Sequence, residues 1–132
     1  MGKGELITLI GETDGTNTSG VCPLKNELVE TSNGLVLPLG LKAKIWALRA
    51  YATTDTTFAI EYCEDIEKGS ECKPILKFGV AAKEFKHIEL ESRPIVIRSV
   101  TGKDGFRVTW SQSSAGYANI QLDVELTDDG RD

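Results

Sequence analysis

His87 is the only histidine in this 132-residue chain, so any Ser-His-Asp or Cys-His machinery has to run through it. It sits in Lys86-His87-Ile88, no G-x-S-x-G turn is present to display a serine, and Cys22, Cys63 and Cys72 stand in no catalytic signature. A histidine facing solvent from a strand fits that setting. Glu61, Glu64, Asp65, Glu67, Glu89 and Glu91 are carboxylates of the kind that pair in glycoside hydrolysis, but their spacing singles out no pair. The glycines form neither G-x-G-x-x-G nor G-K-[ST], so no phosphate cradle or dinucleotide site is expected. The expectation is a chain without catalytic residues, and not an enzyme.

Zinc needs several His or Cys ligands at characteristic spacings, which one histidine and three scattered cysteines do not supply. Calcium has better candidates in two oxygen-rich segments, Asp14-Gly15-Thr16-Asn17 and Thr127-Asp128-Asp129-Gly130. No EF-hand loop is present, and such residues commonly serve as turn formers, so no metal and no cofactor is expected. Trp46, Tyr51, Tyr62, Trp110 and Tyr117 offer flat surfaces on which a sugar can stack. Trp46, Trp110 and Tyr117 are the candidates for that role, with Ser111 and Gln112 beside Trp110 to bind hydroxyls. Against this, Trp110 continues the apolar face of Phe106 and Val108, which places it in a core.

Three cysteines cannot all pair. Cys63 and Cys72 flank a polar segment, Glu64 to Glu71, that returns the chain as a hairpin and can bring the two sulfurs together as a disulfide; the alternative is two thiols beside a turn. Cys22 is then a small buried apolar residue.

These residues have to be positioned by strands. Phe106, Val108 and Trp110 alternate with polar residues, and so do Ile120, Leu122, Val124 and Leu126. Adjacent strands with matched faces would bury Phe106, Val108, Trp110, Ile120, Leu122 and Val124 in one core. Glu5 to Ile10 reads as an opening strand, followed from Glu12 to Gly20 by a loop without an apolar residue. Asn33-Gly34 between Glu27–Glu30 and Leu35–Leu37 predicts a hairpin, whose second arm ends at Pro38. Lys42 to Ala52 reads as a central strand covered on both sides, with Trp46, Leu48, Ala50 and Ala52 on one face, although its propensity also suits a helix. Further strands are expected over Thr57–Cys63, Pro74–Val80 with a bulge at Gly79, and Ile95–Val100; Ala81 to Glu84 reads as a short helical turn. Thr127 to Asp132 reads as a polar tail.

Eight or nine short strands without a long helix or a repeat predict one domain, 1–132, folded as an all-β antiparallel sandwich of jelly-roll type. The immunoglobulin arrangement fits less well, because no apolar strand pattern surrounds Cys22. A formal charge of −5 argues against nucleic acid as a partner, and no apolar run is long enough to span a bilayer or to serve as a signal peptide. In size and strand rhythm the whole chain is similar to single jelly-roll viral structural proteins, a resemblance of fold that rests on no motif. It implies a non-enzymatic subunit or decoration module of a capsid, vertex or appendage, located in the particle and partnered by copies of itself or other subunits; with no signal peptide visible, synthesis in the cytoplasm is expected. A carbohydrate-binding or adhesin-like module is the alternative.

Overall fold

Alternating apolar and polar residues fold into strands because only a pleated strand puts every second side chain on one face. In the computed structural model, which describes residues 5–26 and 29–128, this rule gives an all-β chain. Its strands are β1 (Glu5–Glu12), β2 (Ser19–Cys22), β3 (Leu24–Lys25), β4 (Leu35–Val36), β5 (Leu41–Ala52), β6 (Thr56–Asp65), β7 (Ser70–Val80), β8 (Glu84–Glu89), β9 (Ile95–Arg98), β10 (Gly105–Gln112) and β11 (Ala118–Asp128). The first sheet runs β3-β1-β11-β5-β8, with β9 also on β5; the second runs β2-β10-β6-β7, with β4 also on β10. All pairings are antiparallel. Neighbouring β1 and β11 join the two ends of the chain, and the chain crosses repeatedly between sheets, as in a jelly roll.

The six residues expected to share a core do so, each 5% exposed or less. They do not come from adjacent strands. β10 belongs to the second sheet and β11 to the first, so their apolar faces meet across the sandwich, and the segment from Ser113 to Tyr117 carries the chain over. Trp110 lies in this core beneath Gly20, where a methyl group would come within 2.6 Å of the indole ring. A side chain at position 20 is excluded by that contact.

Four local expectations are corrected. Leu35 and Val36 pair with Phe106 and Gly105 of β10 rather than with the arm before Asn33, while Glu30 bridges Lys25; Glu27 and Leu28 lie outside the described residues. Gly34 has φ +128 and packs against the Phe106 carbonyl, so its glycine serves a close crossing over β10, not a two-residue hairpin. The irregularity in β7 falls at Ile75, the residue skipped between the Ile60–Leu76 and Glu61–Pro74 pairs, and not at Gly79. Residues 81–84 form a turn with Lys83 at φ +63. β11 continues through Thr127 and Asp128, which pair with Lys42 and Leu41; 129–132 lie outside the described residues.

Polar side chains tie each end of the sandwich. At one end Asp104, fully buried, accepts hydrogen bonds from Tyr62 Oη, Ser99 Oγ (2.9 Å) and the Val100 (2.7 Å) and Thr101 backbone N–H groups. Its own carbonyl accepts from Leu37 N at 2.8 Å, which fastens the β4–β5 connection to the turn before β10. At the other end Gln112 Nε2 donates to the Gly116 carbonyl and to Thr56 Oγ1, while Thr13 Oγ1 donates to Gly116 and accepts from Ala118 N.

Burial raises the Asp104 carboxyl, but the hydrogen bonds from Tyr62, Val100, Ser99 and Thr101 outweigh it and hold the pKa below the ordinary value. Burial, together with the Asp104 bond, pushes the Tyr62 phenol up to about 12. A carboxyl with a depressed folded pKa stabilises fully above its unfolded value, about 3.9, and that stabilisation is lost as pH falls through the folded value. Denaturant melts should therefore weaken below about pH 4, and Asp104→Asn should flatten that slope while lowering stability at pH 7 by about 1.5–3 kcal/mol. Leu122→Ala, at a fully buried site, should cost about 2–5 kcal/mol in the same melts.

Candidate binding face

The outward side of the first sheet is where the scarce aromatic and hydrogen-bonding residues collect. β5 is the centre of that face. Its register against β11 shifts between Asp123 and Val124, leaving Trp46 as an extra residue between the Ile45–Val124 and Ala47–Asp123 pairs. Ala43 and Ile45 before the bulge, and Leu48, Ala50 and Ala52 after it, all join the core. Trp46, Arg49 and Tyr51 therefore point outward, which corrects the expectation that Trp46 shares a face with Leu48.

Arg49 holds Asp123 through two hydrogen bonds of 2.8 and 2.7 Å and reaches Gln121 Oε1 at 3.2 Å. The Arg49 bond is the main reason that the Asp123 carboxyl is lowered, and the guanidinium is raised in turn. Tyr51 pairs with Phe85 on β8, their ring centroids 4.7 Å apart and tilted by 38°. Phe85 is 83% exposed although it is a large apolar residue within a strand. These rings, with Arg49, His87, Asn119 and Gln121, line a pocket of about 500 Å³. Beside it Leu6, Trp46, Glu89, Glu91, Asp123 and Glu125 line a second, acidic pocket of about 430 Å³. Trp46 Nε1 donates to Glu125 Oε1 at 3.0 Å, and Lys44 Nζ lies 6.0 Å from the indole centroid. His87 is exposed on the same face and contacts Glu89 at 2.7 Å.

Of the three aromatic residues singled out from the sequence, Trp46 is on this face and Trp110 is in the core, where it offers no surface to a ligand. Tyr117 is 43% exposed just before β11, and its hydroxyl accepts from Asn119 Nδ2 at 2.8 Å. Phe85 escaped notice because Phe85 to Leu90 shows no clean alternation; only its place opposite Tyr51 reveals it. Cys63 and Cys72, paired across β6 and β7, form a disulfide. Glu61 lies near both sulfurs, but the sulfur–sulfur bond leaves no thiolate to bind a metal, and Glu61 is held by Arg107 at 2.8 Å. Cys22 is a buried free thiol, pushed up to about 12 by burial. The Asp14 carboxylate accepts from Asn17 and Thr16 within its own loop, which brings it down to about 2. Of the other oxygen-rich segment, Thr127 and Asp128 belong to β11, and Asp129 and Gly130 lie outside the described residues.

No protein-family model and no curated protein matches the chain. Among the described residues no helix is long and apolar enough to cross a membrane. The coat protein of tobacco streak virus is similar in structure, with a TM-score of 0.48 and 10% identity over 98% of this chain and 90% of that one. The virus-like particle of the extra small virus of the prawn Macrobrachium rosenbergii gives 0.46 and 13%, over 97% and 81%. Clostridium thermocellum endo-1,4-beta-D-xylanase 10B, solved as its CBM22-1-GH10 modules with xylohexaose, gives 0.42 and 17%, over 93% of this chain and 25% of that one. Each is a likeness of fold alone, at low identity.

Proposed function

We propose that the protein is a non-enzymatic structural subunit that works in many copies, as a component or decoration of a virus capsid, vertex or appendage. The observation that carries this reading is the end of the sandwich built around Asp104, which is fixed and carries exposed apolar side chains. Leu39 is 67% exposed, Val100 66% and Val36 37%, while the segments that bear them are held by the Asp104 hydrogen bonds and by the pairing of β4 with β10. Gly102, at φ +79, brings the turn after Val100 against Leu39: a methyl group there would sit 3.7 Å from the Leu39 side chain.

Apolar side chains held in place by their own fold lose little freedom when a neighbour covers them. Burying a leucine or valine completely is worth about 1.5–3 kcal/mol, and a closed symmetric assembly repeats that gain at every contact. The partners in this reading are further copies of the chain or other subunits, and the place of action is the assembled particle. No cofactor and no catalysis is part of it.

Leu39→Asp and Val100→Asp test it, because both side chains already face water and the core does not depend on them. In light scattering across a concentration series the wild-type chain should form multimers, and both variants should shift toward monomer with unchanged melting temperature. A wild-type chain that stays monomeric at every concentration, or variants that assemble normally, would contradict the proposal.

A further inference from the structure

We infer that the outer face of the first sheet carries a binding site for a neutral glycan, with the Phe85 ring, backed by Tyr51, as its stacking platform and Arg49, Asn119 and Gln121 as its hydrogen-bonding groups. The inference does not rest on the assembly reading. Tyr51 stands ten residues along β5 from Leu41, roughly 30 Å from the Asp104 end.

Three observations converge on that ligand. Phe85 is held in a strand and is 83% exposed, and Tyr51 packs against it with the ring planes tilted by 38°, so Phe85, backed by Tyr51, presents an apolar surface that the fold itself does not cover. A pyranose ring has an apolar face of C–H groups that suits such a surface, and hydroxyls at its edge. The surroundings suit those hydroxyls. Asn119 and Gln121 carry amides that donate and accept, and Arg49 adds guanidinium donors.

Charge narrows the choice. Arg49 is neutralised by its two bonds to Asp123, so the floor of the pocket favours a ligand without net charge; Lys86 stands at its rim. The groups are also preorganised: they project from paired strands, and Arg49 is fixed by Asp123 and Gln121 together. A pocket of about 500 Å³ falls within the range of small-ligand sites. A surface made for a protein would carry an apolar centre with a polar rim, whereas here polar groups stand directly beside one small platform.

The test is a glycan array of neutral oligosaccharides, including β-1,4-linked hexaoses of glucose, xylose and mannose, followed by calorimetric titration of the best binder into the full chain. Phe85→Ala should weaken binding by at least about tenfold, equivalent to about 1.4 kcal/mol, with melting temperature and multimer size unchanged. Trp46→Ala, in the neighbouring pocket, should retain binding. Absence of binding to every neutral glycan, or full binding by Phe85→Ala, would overturn the inference. Loss of multimers in Phe85→Ala would overturn it too, by making the platform a contact between copies. Multimers that survive in Phe85→Ala but not in Leu39→Asp would separate the two surfaces.

Discussion

The arrangement depends on how β5 keeps its apolar residues in the core along its whole length. A regular strand alternates strictly, and Ala43 and Ile45 are out of phase with Leu48, Ala50 and Ala52. Without an inserted residue, one of these two groups would face water. The bulge at Trp46 absorbs the mismatch: it places two consecutive residues, Trp46 and Ala47, outside the core, and both apolar groups then point inward. Because β5 lies between β11 and the β8 and β9 edge, its phase also decides what the outer face displays. Arg49 meets Asp123 and Tyr51 meets Phe85 as consequences of that phase.

The core and the two polar knots divide the remaining work. Facing apolar surfaces from β10 and β11 hold the sheets together without setting the conformation of the connections. Asp104 and Gln112 do that, each satisfying several backbone or hydroxyl groups from segments far apart in sequence. Buried polar groups are costly unless fully bonded, so such knots favour one loop conformation over its competitors. Residues that the loops expose are then presented in fixed positions. This connects a buried carboxylate to the exposed apolar residues at its end of the sandwich.

Much of the sandwich is legible in the sequence because alternation is a local property. β5, β6, β10 and β11 are readable from the spacing of their apolar residues, and the Cys63–Cys72 hairpin from the polar segment between its cysteines. Sheet membership is not local. β10 and β11 have the same period whether they pair with each other or face each other across the core, and their short connection suggested the wrong one of these. Asn33-Gly34 carries a strong hairpin signal, yet its glycine serves a crossing over β10, which only the tertiary structure creates. The outer face was legible in part: Trp46 and Tyr51 stand out by type, while Phe85 needs the β5–β8 register to become a neighbour of Tyr51.

Backbone hydrogen exchange at low and high protein concentration tests most directly whether the Asp104 end is a contact between copies. Amides of residues 36, 37, 39, 40 and 99–103 should gain protection as the protein associates, while those of the central β10 and β11 strands, already protected in the single copy, should not change. Equal exchange at residues 36, 37, 39, 40 and 99–103 in both conditions, in a sample shown to be associated, would contradict the account.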